Sequence, residues 1–175
     1  TIRIRSRSAD SGQTRAELLT TAAEVDAIAS AYDAMTSSPT EPLLLQPLLE
    51  KTAEVLRGLL SGKPLEIRVA GDPVQMTGER AITLISAVSE LMVNAIRHGY
   101  PAGRGGVIQV TLISGNLVNT IQVEDDGVGF RPETVRKTGG MRLISGLVRE
   151  KLAGEILWYS DGNGTRVTIS IPREQ

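Results

Sequence analysis

The chain has 175 residues, 41% hydrophobic and 22% charged, which suits one globular domain with a substantial core and room for a small appendage. Lys and Arg number 19 against 20 Asp and Glu, a formal net charge of −1 that gives no global attraction to nucleic acid or to an anionic membrane. The absence of Cys excludes a disulfide framework, a thiolate zinc site and a cysteine nucleophile.

No apolar run approaches the length of a membrane span, and no signal peptide opens the chain. A cytoplasmic protein, or the soluble part of a larger one, is the expectation. A start at Thr1 rather than Met is what an excised fragment would show. With one Trp, one Phe and three Tyr, stacking platforms for single strands are scarce, and Leu, Ile, Val and Ala must fill the core.

Residues 1–36 read as helical but incomplete. Thr14 caps a helix with Glu17 as its capping-box partner, and Leu18, Ala22, Val25, Ala29 and Tyr32 recur at helical spacing. This stretch fits either a helix packed on its own domain or part of a dimerisation hairpin. Residues 37–42 are a linker by composition, with Ser37, Ser38, Pro39 and Pro42, and residues 43–175 form the main domain.

Within that domain the pattern predicts a helix over 46–60 and a strand carrying Leu65, Ile67 and Val69. A long helix follows over 79–98, then strands over 107–113 and 117–123. A loop over 132–140 precedes a helix over 141–152, and a hairpin over 156–171 turns at Asp161-Gly162-Asn163-Gly164. Adjacent strands interleaved with helices predict an α+β fold, a two-layer sandwich of a mixed β-sheet and helices.

Two constellations carry chemistry. The first is Val123-Glu124-Asp125-Asp126-Gly127-Val128-Gly129-Phe130. Strand alternation puts Ile121, Val123 and Asp125 on one face and Glu124 and Asp126 on the other. Asp125 therefore points where the apolar residues point, and an inward carboxylate calls for a partner. Gly127 and Gly129 open backbone conformations closed to other residues and let a ligand approach the main chain. An ordinary Asp-Gly turn is the plainer alternative.

The second lies on the long helix, where Glu90, Asn94, Arg97 and His98 share one stripe away from Val88, Leu91, Met92, Ala95 and Ile96. A solvated helix face would look the same. Asn in mid-helix is a poor helix former. Its amide oxygen is a hard neutral ligand suited to Mg²⁺, which takes few protein ligands besides phosphate and water. Glu90 is placed to hold a metal-bound water or act as a base, and Arg97 and His98 to meet phosphate oxygens.

Glu90-Leu91-Met92-Val93-Asn94-Ala95-Ile96-Arg97-His98-Gly99-Tyr100-Pro101 resembles the asparagine-bearing helix of bacterial sensor histidine kinases, in the subfamily that reads E-L-x-x-N-A-x-K-H-x-F-P there. Asp125 to Gly129 resembles the D-x-G-x-G box. Thr138-Gly139-Gly140-Met141-Arg142-Leu143 is similar to the S-L-G-L-x-L start of the next helix, and Gly162-Asn163-Gly164-Thr165 to the final G-x-G-T hairpin. All four occur in the family's order.

The resemblance implies the ATP-binding sandwich shared with gyrase and heat-shock chaperone ATPases, with ATP and Mg²⁺ as ligands. Asp125 would then accept from the adenine amino group. Asn94 would bind Mg²⁺ beside the catalytic Glu90, and Arg97 and His98 would approach the phosphates. Gly127 and Gly129 would leave room for base and sugar. Gly139 and Gly140 would meet phosphate through a helix N-terminus, and Thr165 would support the adenine end.

It further implies that residues 1–36 are a remnant of dimerising, phosphoacceptor helices, and that a response regulator and a second copy of the chain are partners. Neither nucleic acid nor direct membrane contact is expected. The γ-phosphoryl would go to a histidine absent from this chain, because His98 is the only histidine and lies on the ATP-site helix. Arg97 stands where Lys is usual, Gly139 where Leu is usual, and 132–140 makes a short lid. An adaptor with a vestigial site, or an ATPase or serine kinase of the same superfamily, are the competing functions.

Overall fold

The computed structural model describes residues 42–58, 64–130 and 139–174, with Ala29 alone before them. The helices expected in 1–36, most of the linker and most of the expected lid lie outside the described residues.

The described elements are β1 (Leu43–Leu44), α1 (Leu45–Arg57), β2 (Leu65–Gly71), β3 (Gln75–Met76), α2 (Gly78–Asn94), β4 (Gly106–Ser114), β5 (Val118–Asp125), α3 (Gly139–Gly146), β6 (Glu155–Asp161) and β7 (Gly164–Pro172). A π turn prolongs α2 over Ala95–Gly99, and another prolongs α3 over Leu147–Lys151. Five strands form a mixed sheet in the order β2-β4-β5-β7-β6, in which only β2 and β4 run parallel. This is the expected α+β sandwich. The pair β1–β3, which sequence reading passed over, is two residues long on each side, too short for a period to register.

The register explains where the core ends and the site begins. Residues directly opposite in a ladder share a face. One row across the sheet reads Leu112, Ile121, Ile169 and Ile156, and the next reads Val110, Val123, Val167 and Trp158. The third row starts as Ile67 and Ile108, then continues as Asp125, Thr165 and Ser160. Its apolar half is covered by helices, and its polar half marks the end of the core.

The helix layer presses on this face. α2 buries Ala81, Leu84, Ile85, Val88, Leu91 and Met92, and α1 buries Leu45, Leu49, Ala53 and Leu56. Each fully buried Leu, Ile or Met contributes about 1.5–3 kcal/mol. The N-terminal end of α2 is tied to the far end of the chain. The Thr77 N–H and hydroxyl both donate to the Glu174 carboxylate at 2.7 Å, and Arg80 lies 3.7 Å from it. The carboxylate thus supplies the acceptor and the negative charge that a helix N-terminus favours.

Candidate functional site

The polar half of the third row opens into a cavity of about 390 Å³. It is lined by Leu91, Asn94, Ala95, His98, Gly99, Asp125, Gly129, Phe130, Met141, Trp158 and Thr165. The volume falls within the range of small-molecule sites, and the mostly apolar wall with a few polar groups has their character. The C-terminal turns of α2 form one wall, the sheet end the floor, and Phe130 and Met141 further sides.

Asp125 closes β5 and faces this cavity, as the alternation of the strand requires. Its Oδ1 accepts the Gly127 N–H at 3.0 Å. Burial raises the Asp125 carboxyl above the ordinary range, and hydrogen bonds from the Gly127 N–H and from the Thr165 hydroxyl and backbone N–H offset only part of that. A carboxylate under net desolvation is poised to accept from a donor on an otherwise apolar ligand.

Asp126 does different work. Its Oδ1 accepts the Tyr100 hydroxyl and the Val107 N–H, each at 2.8 Å, and its carbonyl accepts from Arg104 at 2.9 Å. Burial alone would raise its carboxyl, but these donors and the Arg104 charge bring it below the usual range. The Tyr100 hydroxyl is pushed well up by burial and by its bond to Asp126. The acidic pair is therefore divided: Asp125 serves the cavity, and Asp126 fastens the bend to β4 and to the end of the α2 wall.

The glycines are demanded by the protein's own backbone. A Cβ on Gly127 would lie 2.5 Å from the Gly99 carbonyl oxygen and 2.7 Å from Asp125 Oδ1. Gly127 is absent from the cavity lining, and its smallness lets the bend seat on Gly99, whose carbonyl accepts the Val128 N–H at 2.9 Å. Gly129 does line the cavity. Its φ of +63° is a left-handed conformation, and a Cβ there would lie 1.8 Å from the Asp161 carbonyl oxygen.

Of the residues singled out in the sequence, Asn94, His98, Asp125, Gly129 and Thr165 meet in the one cavity. Glu90 is half-buried one turn before Asn94, outside the lining, and Arg97 is exposed and outside it too. Gly139 and Gly140 open α3, two residues earlier than the helix expected at Met141. Sequence reasoning missed Leu91, Ala95, Gly99, Phe130, Met141 and Trp158. Leu91 and Ala95 read as core because the cavity sits on the border between the helix's apolar and polar sides. Trp158 alternates with Ile156 on β6, a signal that marks the inner face but not the cavity.

Comparison with known proteins places this geometry. The profile of the family described as histidine kinase-, DNA gyrase B- and HSP90-like ATPase matches residues 79–175, more than half of the chain. The chain belongs to that family. Its similarity within the family is to histidine kinases. It is 26% identical over 178 residues to the sensor histidine kinase PdtaS of Mycobacterium tuberculosis, across 98% of this chain and 35% of that protein. It is 28% identical over 182 residues to blue-light-activated histidine kinase 2 of Erythrobacter litoralis, across 98% and 52% respectively.

Among solved structures it resembles the histidine kinase domain of the Erythrobacter litoralis EL346 blue-light-activated kinase. The TM-score is 0.77 at 25% identity, over 87% of this chain and 74% of that one. The fold is shared with the catalytic domain of histidine kinase ThkA, with a TM-score of 0.63 at 15% identity over 75% and 94%. The chain spans about a third of the length of the PdtaS relative and about half of the blue-light kinase. It is a histidine-kinase-type ATPase domain, and no helix among its described residues is long and apolar enough to cross a membrane.

Proposed function

We propose that the chain is the ATP-binding catalytic part of a two-component sensor histidine kinase, binding Mg·ATP in this cavity and passing the γ-phosphoryl to a histidine outside the chain. The observation that carries the reading is Asp125, a carboxylate under net desolvation at the floor of a largely apolar cavity. Such a site suits a flat, mostly apolar ring with one amino donor, which is the character of adenine. Asn94 and His98 line the α2 wall, where the phosphate end of the nucleotide would extend.

The residues fit a magnesium ion brought in by the nucleotide. Among the described residues no group of three or more His, Asp or Glu gathers to cage an ion. Mg²⁺ needs no such cage, because one amide oxygen with phosphates and water completes its shell. Asn94 would be that ligand, and the ion would neutralise phosphate charge. Glu90 would order water near it or act as a base, and Arg97 would contact phosphate. Gly139 and Gly140 would offer phosphate the N–H groups that open α3.

Phosphoryl transfer depends mainly on positioning and charge neutralisation. That suits a chain whose single histidine lines the nucleotide cavity. The receiving histidine, a response regulator and a second copy of the chain would be its partners, in the cytoplasm where ATP is available.

The test is transfer of labelled γ-phosphate, in trans, to a helical-hairpin fragment carrying an acceptor histidine. Transfer is expected, and it persists in Glu90→Gln because a histidine nitrogen attacks without first losing a proton to a base. Asn94→Ala should remove the Mg²⁺-dependent part of ATP binding and leave metal-free nucleotide binding. No transfer, with brisk hydrolysis that Glu90→Gln abolishes, would replace the kinase reading with an ATPase. No nucleotide binding would leave an adaptor.

A further inference from the structure

Arg80 stands in the first turn of α2, where a cation runs against the helix's own dipole. Its guanidinium is turned toward other elements. Nη2 donates to the Leu152 carbonyl at 3.0 Å and to the Pro172 carbonyl at 3.1 Å, and Nη1 lies 3.7 Å from the Glu174 carboxylate. Nε is buried and has no hydrogen-bond partner among the described residues. The side chain thus gives up one donor where it reaches both carbonyls.

The Leu152 carbonyl closes the π turn that prolongs α3, so Arg80 brings positive charge to the negative end of that helix. The next residue, Ala153, has φ +49°, a left-handed conformation uncommon for a residue with a Cβ. Gly154 then packs so closely on β7 that a Cβ would lie 2.6 Å from the Ser170 carbonyl oxygen. Contacts with other elements, and not local preference, hold this end of α3 in place.

The other ends of the same two helices meet at the cavity. α2 ends at Asn94, α3 begins at Gly139, and Asn94 and Met141 share the cavity lining. The helices therefore run in opposite senses, joined by Arg80 at one pole and flanking the cavity at the other. Between the poles α3 contributes Ile144 and Val148 to the core. Apolar burial is non-directional, so it resists separation of the helices and opposes sliding along their axes only weakly. Hydrogen bonds are directional. A helix also has a fixed rise per residue, so an axial shift at one end reappears at the other.

We propose that Arg80 is a positioning residue for the phosphate end of the cavity. Its grip on the Leu152 carbonyl sets the axial position of α3, and through it the separation of the Gly139 and Gly140 amides from Asn94. The base end is independent of it, because Asp125 and Thr165 are paired in the sheet ladder. The assignment of base and phosphate ends rests on the nucleotide reading above; the link between Arg80 and the position of α3 does not.

Two readouts test it. The chain has no Cys, so spin labels at Glu54→Cys on α1 and Arg142→Cys near the start of α3, both exposed positions, report the placement of α3 in the free chain. Calorimetric titration of the unlabelled chain compares ATP with adenosine, which lacks the phosphates. Arg80→Met should shift or broaden the label distance and weaken ATP about tenfold, while adenosine changes by less than about twofold. Arg80→Lys, which can still reach one carbonyl, should restore a narrow distance and most of the ATP affinity. Thr77→Val, which loosens the Glu174 contact at the same pole, should lower Tm and leave the distance and the ATP-to-adenosine ratio unchanged. An unchanged distance in Arg80→Met would overturn the proposal, as would equal losses of ATP and adenosine, or a displaced α3 with a normal ratio. If Arg80→Met does not fold, Arg80→Gln takes its place with the same readouts. If the unmutated chain binds neither ligand, the nucleotide reading falls, and the label distance still decides whether Arg80 places α3.

Discussion

Replacing Asp125 with Asn should move nucleotide affinity and free-chain stability in opposite directions. The amide keeps an oxygen to accept the Gly127 N–H, now 3.0 Å away, but offers a weaker and uncharged acceptor toward the cavity. A hydrogen bond to a charged acceptor contributes roughly 1.5–3 kcal/mol, so ATP should weaken about ten- to a hundredfold. Stability follows from the raised Asp125 carboxyl. A carboxyl whose folded pKa exceeds its unfolded one binds protons more tightly when folded. The free chain therefore loses stability as pH rises from the unfolded value, about 3.9, through the folded value, and the full penalty is present at neutral pH. Asn carries no such penalty. Asp125→Asn should melt above the unmutated chain at pH 7, with the gap closing as the pH falls below the unfolded carboxyl range. Calorimetric titration with ATP and thermal unfolding across pH measure the two arms. Asp126→Asn is the control, because its amide oxygen still accepts from Tyr100 and Val107, and ATP affinity should barely change. An Asp125→Asn chain that is less stable at neutral pH, or that binds ATP normally, would refute the reasoning.

Three further outcomes follow from particular contacts. Gly129→Ala forces a side chain onto φ +63° and toward the Asp161 carbonyl, and should lower stability in denaturant titration by more than about 2 kcal/mol. Glu174→Ala removes the acceptor for Thr77 and should destabilise by about 1–2 kcal/mol, read as a fall in Tm without loss of ATP affinity at low temperature. Tyr100→Phe removes one donor from Asp126, so NMR titration should find that carboxyl moved upward, with a stability loss of about 1 kcal/mol.

The long periodic segments were legible in the sequence. The stripe of α2, the alternation of β4, β5 and β7 and the turn before Gly164 each carry enough residues for a period to show. The facing of Asp125 was legible for the same reason, since alternation through Ile121 and Val123 leaves its side chain one direction to point. The role of Asp126 was not, because it depends on Tyr100, Arg104 and Val107, which approach from other elements. The glycines show the same limit. Their freedom was readable, but the need for them at Gly127 comes from Gly99, 28 positions earlier, through a backbone contact that no local pattern encodes. The cavity border on α2 escaped because amphipathicity divides a helix into two sides and has no place for residues that serve both.

Trp158, the chain's only tryptophan, stands in the cavity wall as an optical probe built into the fold. Indole emission responds to the polarity around the ring, and this ring is half-buried and lines the cavity. A ligand that displaces water there changes the emission colour and intensity directly, whereas events on the outer sheet face or at the Glu174 clamp do not reach it. Occupancy can therefore be timed by stopped flow in the unlabelled chain, and a quencher too large to enter would separate a filled cavity from a collapsed one.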